Sequence, residues 1–150
     1  MPIYPPSQYA QPSDFSSIGV LPALAQSLTG PQITQALQNA SVIMDNYIGQ
    51  QFQLPLVEWD ASLTQYCCWI ARYTLLAVRG YNPNNPQEVS YYDAYKFSMQ
   101  WLKDVANGAA TPQVTDSSPN AQPGVHAPAS SPTTVSPSPG NRTWNTWSRQ

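Results

Sequence analysis

Charge is what this chain has least of. Asp, Glu, Lys and Arg together make up 9% of its 150 residues, against roughly 25% in an ordinary soluble domain. The six basic residues, Arg72, Arg79, Lys96, Lys103, Arg142 and Arg149, are scattered, and the formal net charge is −2. A protein that grips nucleic acid by its phosphates needs clustered cations whose binding releases counterions, so that class is disfavoured. Apolar runs are short as well. None approaches the roughly 18–20 residues that span a bilayer, and no membrane partner is expected. The opening MPIYPPSQYAQP has neither a basic start nor an apolar stretch, which argues against a signal peptide and for synthesis in the cytoplasm.

The parts of a catalytic centre are also scarce. The single histidine, His126, lies in a segment with almost no large aliphatic residues. A Ser-His-Asp arrangement or a His–carboxylate metal cluster therefore has no histidine inside a fold to use. The seven glycines are isolated and form no phosphate loop. Each carboxylate has a plainer use. Asp60 suits a helix N-cap, Glu88 and Asp93 fall near the start of a helix where negative charge is favoured, and Glu58 stands in the loop before Trp59. No catalytic residue, metal or cofactor is expected, and the chain is not expected to be an enzyme. The two cysteines, Cys67 and Cys68, are sequence neighbours. A bridge between them would strain the intervening peptide, so both are expected as reduced thiols packed on a helix.

Proline, by contrast, is abundant. Seven of the sixteen, at positions 112, 119, 123, 128, 132, 137 and 139, fall towards the C-terminus. Three regions follow: an extended arm over 1–15, a helical domain over 16–108, and a Ser/Thr/Pro-rich tail over 109–150, of which about 109–140 is expected to be extended without helix or strand. The domain reads as all-α, a small bundle of about four helices. A first helix over Ser16–Leu28 carries Pro22 in its first turn or is broken there. Pro31 suits the first position of the next, where Ile33, Leu37, Ala40, Met44, Tyr47 and Ile48 form one apolar stripe that ends near Gly49. Phe52–Leu56 is an extended crossing, because Pro55 biases Leu54 away from helical angles. A third helix runs from Asp60 to Arg79 with Gly80 as its stop, and the last from Glu88 to Asn107. The third, SLTQYCCWIARYTLLAVRG, is apolar nearly all round. Such a helix must be surrounded by protein, whether its own fold or a neighbouring subunit. Leu37, Met44, Ile48, Leu63, Ile70 and Leu102 are the expected core.

Two charges, Asp45 and Arg72, fall inside apolar runs. Burying either alone is expensive, so a mutual ion pair that fixes helix register is expected. In the tail, Trp144 and Trp147 stand three apart between Arg142 and Arg149. Trp and Arg dominate interface energetics, so these four read as a partner-binding motif on a tether, with Tyr4 and Tyr9 of the N-terminal arm as further candidates.

Three segments in order carry a resemblance. QALQNASVIMDNYIGQQFQLPL places an Ala-x-x-x-Ile-Asp-x-Tyr-Leu-like helix before an aromatic-x-Leu-Pro-Leu crossing, and CCWIARYTLLAVRG and YYDAYKFSMQWLKDVANG follow. Over about Leu28 to Gly108, roughly half the chain, this resembles a phage head–tail adaptor family typified by Mu-like phages. The resemblance implies a structural virion protein of the neck, made in the host bacterial cytoplasm. It implies a homo-oligomeric ring of about twelve copies under the portal protein, joined on its other side to the next neck or tail protein. Double-stranded DNA would pass through the lumen without specific contacts, which scattered rather than clustered cations suit. The alternatives are a neck stopper or tail-completion protein, which tends to be β-rich, and, in another class, a small helical DNA-binding module, which would need a basic helix face.

The tail makes the first testable point. At about 3 Å per residue a Pro-rich tether of some thirty residues reaches several tens of ångströms, far enough to leave its own subunit. Truncation after Gly140, or Trp144→Ala with Trp147→Ala, should leave a folded protein that joins portal-bearing heads with reduced affinity. Undiminished joining in a pull-down on such heads would remove the docking role of the motif.

Overall fold

The computed structural model describes residues 8–119. Five helices and one two-stranded ribbon are found among them: α1 Pro12–Ser17, α2 Pro22–Ala25, α3 Gly30–Ile48, β1 Glu58–Trp59, α4 Ala61–Arg79, α5 Pro86–Ala106 and β2 Val114–Thr115. The fold is a small α bundle. α3, α4 and α5 pack on one another, and α1 lies against α3 and α4.

Local chemistry explains most of the helix ends. Proline stands in the first turn of α1, α2, α3 and α5, where its missing N–H costs nothing. At α3 the Thr29 N–H donates to Gln32 Oε1 at 2.9 Å, one half of a capping box. Asp60 Oδ1 accepts from the Leu63 N–H at 3.3 Å and opens α4. Gly80, at φ 115°, lets the chain leave that helix in a backbone region that side chains disfavour. The turn before α5 is organised by Glu88, which is buried. Its carboxylate accepts from the Asn82 N–H at 2.7 Å and from Asn85 Nδ2 at 3.2 Å.

The six expected core residues, Leu37, Met44, Ile48, Leu63, Ile70 and Leu102, are all 0% exposed. The helical period placed them, and the fold closes over that stripe. The first expected helix is broken before Pro22, one of the two alternatives, and it begins earlier than Ser16. α1 begins at Pro12, Gly19 turns the chain at φ 74°, and α2 begins at Pro22. The N-terminal region therefore does not stay extended to residue 15. Asp14 Oδ2 accepts from the Gln11 N–H at 2.8 Å, and buried Phe15 pins the short helix to the bundle.

The start of the tail also differs from expectation. Val114–Thr115 forms a strand antiparallel to Glu58–Trp59, with Glu58 opposite Thr115 and Trp59 opposite Val114. The crossing between α3 and α4 exposes backbone groups that require partners. The Val57 N–H donates to Thr115 O at 2.8 Å, and the Gln53 N–H to Asp116 Oδ2 at 3.2 Å. Pro112 and Val114 are buried beside them. The folded unit thus extends past Gly108.

Tyr9 was expected to await a partner; it is instead a core residue, 1% exposed. Its hydroxyl donates to Asp45 Oδ1, its N–H to Ser41 Oγ at 3.3 Å, and its carbonyl accepts from Thr64 Oγ1 at 2.9 Å. Its ring meets Trp59 edge to face at 5.1 Å. A short apolar segment with several polar atoms stays in place when all of those atoms find partners within the chain.

Tyr9→Phe removes the donor to a carboxylate and should lower stability by about 1–3 kcal/mol. Tyr9→Ala also deletes the ring and should cost about 3–5 kcal/mol. Urea unfolding of the two variants checks this, and two neutral results would place residues 8–11 outside the cooperative unit.

Candidate assembly surface

Aromatic rings gather in two clusters along the seam between α4 and α5. Tyr66, Trp69 and Tyr73 follow one another on α4 at spacings of three and four, and so project from one face. α5 brings Tyr92, Tyr95, Phe97 and Trp101 against them, and Tyr81 joins from the turn. At one end Tyr66 lies 4.7 Å from Trp101 and 5.9 Å from Phe97, centroid to centroid, and Trp69 lies 6.4 Å from Phe97. At the other, Tyr73 stacks on Tyr95 at 4.5 Å and meets Tyr92 at 5.3 Å, with Tyr81 5.6 Å from Tyr92. These separations fall in the favourable range for ring pairs.

All eight rings are at least partly exposed, and Phe97 is 57% exposed. Isolated exposed apolar residues are ordinary, whereas clustered and partly exposed aromatic rings are enriched at interaction surfaces. Among the charges beside these rings is Lys96, which sits 4.6 Å over the Tyr92 ring and pairs with Asp93 at 3.0 Å. Burial raises the pKa of Tyr66 and Tyr95, so these phenols stay neutral around neutral pH. The helix without a polar face thus resolves into two halves. Leu63, Cys67, Ile70, Ala71 and Leu76 are buried, and the aromatic half is covered in part by rings of α5.

The expected pair of Asp45 and Arg72 does not form. Asp45 accepts from Tyr9, while Arg72 Nη1 donates to Gly19 O at 3.1 Å and to Ile18 O at 3.5 Å. The Tyr91 ring covers the guanidinium at 3.7 Å. Each charge takes neutral partners from the folded N-terminal segments, which intervene where a direct pair was expected. Tyr4, Arg142, Trp144, Trp147 and Arg149 lie outside the described residues.

Two features escaped the sequence reading. Glu88 was assigned to a first helical turn but not to the hydrogen bonds that hold the preceding loop. The aromatic pavement was visible only as separate stripes. Its signal was the three-and-four spacing of Tyr66, Trp69 and Tyr73, whose partners on α5 become evident only once the helices are paired.

No cluster of His, Cys, Asp and Glu suited to a metal occurs among the described residues. None of the described helices is long and apolar enough to cross a membrane. Both thiols are buried. Burial pushes the pKa of Cys67 up to about 11, with Asp14 and Asp45 adding to it against the Ser41 hydrogen bond. Cys68 is pushed up to about 12, again chiefly by burial.

A profile of the family described as "Bacteriophage Mu, Gp36" matches residues 15–128. The chain is 35% identical over 92 residues to the "Mu-like prophage FluMu protein gp36" of Haemophilus influenzae, covering 61% of this chain and 60% of that protein. It is 32% identical over 80 residues to "Gene product J" of Escherichia phage Mu, covering 53% of this chain and 52% of that one. The chain thus matches between half and three-fifths of the length of these relatives.

Thiols with such raised pKa values hold few thiolates at pH 8, and the thiolate is the reactive form. Cys67 and Cys68 should resist a disulfide reagent such as dithionitrobenzoate in the folded protein, and both should react promptly in concentrated urea. Reaction of either at the rate of a free thiol under native conditions would contradict the buried placement.

Proposed function

The chain belongs to the bacteriophage Mu Gp36 family, and from that premise we propose that it is a head–tail adaptor of the virion neck. The observation that carries this reading is the aromatic face of α4 and α5. It is too extensive and too poor in charge for a surface that stays in water. In an adaptor it is the flank that one subunit offers to the next in a homo-oligomeric ring of about twelve copies. Such a ring joins unlike faces head to tail, and its closure is set by a template. The portal protein is that template, the next neck or tail protein takes the opposite side, and double-stranded DNA passes through the lumen. The isolated protein is then mainly monomeric.

The mostly helical fold favours this reading over a β-rich stopper or tail-completion protein. The exposed basic side chains Arg79, Lys96 and Lys103 do not form the run of cations that a DNA-binding helix would present. Arg142, Trp144, Trp147 and Arg149 supply a second contact, a tethered motif for the portal or a neighbouring adaptor. Repeated around a ring, such tethers add avidity that a single peptide lacks.

The aromatic face can be tested with little risk to folding. Phe97 is 57% exposed, so Phe97→Glu should cost about 1–2 kcal/mol, chiefly the ring pairs with Tyr66 and Trp69, and leave the protein folded. It should nevertheless prevent rings from forming on portal-bearing heads, read by electron microscopy of the necks. Normal rings with a folded Phe97→Glu protein would overturn the assignment of this face. An intact density for this chain elsewhere in the virion would overturn the adaptor reading itself.

A further inference from the structure

The N-terminal layer of the bundle holds an apolar pocket. Its walls come from α1, the turn after it, α2 and the start of α3. About 300 Å³ in volume, it is lined by Phe15, Val20, Ala25, Leu28 and Ile33, with Ser16 at one side. Phe15 is buried, Val20, Leu28 and Ile33 are half-buried, and Ser16 and Ala25 form an exposed edge. This size is at the low end for small-ligand sites, enough for one aromatic side chain and too small for a helix. No charged or amide side chain is among the lining residues, so an apolar ring is the chemistry the pocket receives. α1 and α2 have six and four residues and owe their stability to packing. A ring seated between them also steadies this layer.

We propose that this pocket seats an indole of the chain's own tail, from the motif that contains Trp144 and Trp147. Composition, tether length and charge point to that occupant. Between residues 120 and 150 these tryptophans are the only aromatic side chains besides His126, and the largest aliphatic ones are two valines. The tether has a matching length. Ser117 N–H donates to Gln53 O just past the C-terminal end of α3, whereas the pocket lies at the N-terminal end of that helix. At 1.5 Å per residue Ile33 to Ile48 spans about 22 Å, which puts the start of the tail roughly 25–30 Å from the pocket. Residues 120–143, a chain of some two dozen, span about 27 Å on average. A linker gives its highest effective concentration when its average length matches the distance to be bridged. Charge favours the same end. Residues 8–57 carry Asp14 and Asp45 and no cation, and Asp14 immediately precedes Phe15 of the pocket wall. Arg142 and Arg149 flank the tryptophans, and residues 120–150 contain no Asp or Glu. α4 and α5 instead carry Arg72, Arg79, Lys96 and Lys103 against Glu88, Asp93 and Asp104, an excess of positive charge that disfavours the motif. The inference concerns the free chain and does not rest on the neck reading. A portal or a neighbouring copy has to compete with the pocket for the motif.

Methyl signals of the full chain, labelled with ¹³C at Ala, Val, Leu and Ile, report on the pocket. Compared with a chain truncated after Gly140, those of Val20, Ala25, Leu28 and Ile33 should be displaced by the indole ring current, while those of Leu102 and Val105 should not move. The displacement should be independent of protein concentration, because the occupant belongs to the same chain. A peptide of residues 141–150 added to the truncated chain should reproduce it saturably. The same peptide with Trp144→Ala and Trp147→Ala should bind at least about tenfold more weakly. Ala25→Trp, on the exposed edge, fills the pocket from its own wall. It should abolish the effect of the peptide and leave the helical circular dichroism unchanged. Identical methyl signals with and without the tail would overturn the proposal. So would a displacement that survives Trp144→Ala with Trp147→Ala in the full chain. A displacement that grows with protein concentration would make the occupant a second copy and overturn it, and one confined to Leu102 and Val105 would place the motif on α5 instead.

Discussion

The whole arrangement depends on one helix that cannot be left in water. α4 carries apolar or aromatic side chains around most of its circumference, and only burial on several sides makes it stable. α3 and α5 close over Leu63, Cys67, Ile70 and Leu76, and α1 closes the remaining inner edge. Once those contacts are made, Tyr66, Trp69 and Tyr73 are half covered by rings of α5 and stay partly exposed. The half-covered rings are therefore aromatic for the same reason that the core is apolar. Both are parts of one helix, and the monomer has too few elements to enclose it.

The N-terminal segments show how small bundles deal with this shortage. Residues 9 and 10, α1 and α2 are too short to be stable alone. They hold because Tyr9 and Phe15 fill gaps over α3 and α4 while the backbone near them bonds to Ser41, Thr64 and Arg72. Arg72 thus serves as a tie between the central helix and the turn at Ile18–Gly19. The ribbon of β1 and β2 does comparable work at the opposite end of the sequence, where it satisfies the crossing after α3 and turns the start of the tail into part of the folded unit.

These features suit a virion component. Assembly from many copies favours subunits that stay soluble alone and lose little conformational freedom when they meet. Tyr and Trp side chains bury a large area for few rotatable bonds. Low charge removes the desolvation penalty that buried ions would impose on each contact, and it spares the proposed channel strong contacts with moving DNA.

Much of this was legible from residues alone because its causes are local. Helical periods named the core from Leu37 to Leu102, Pro31 and Asp60 marked helix starts, Gly80 marked a stop, and the apolar circumference of α4 announced that something must cover it. The family resemblance likewise rested on contiguous segments. What sequence could not supply was which surfaces meet. The ion pair of Asp45 with Arg72 was a sound inference from the cost of buried charge, yet both residues found neutral partners brought in from residues 9–19. Tyr9 reads as part of a polar, Pro-rich arm until its ring is placed against Trp59, and Val114 reads as linker until the crossing at 57–59 offers it a strand to pair with. The ring clusters of α4 with α5 and the carbonyl partners of Arg72 likewise exist only between elements. Propensity, capping and periodicity act within a few residues of one another. Hydrogen-bond partners and ring contacts tens of residues apart are chosen by packing, and the tertiary structure alone decided them.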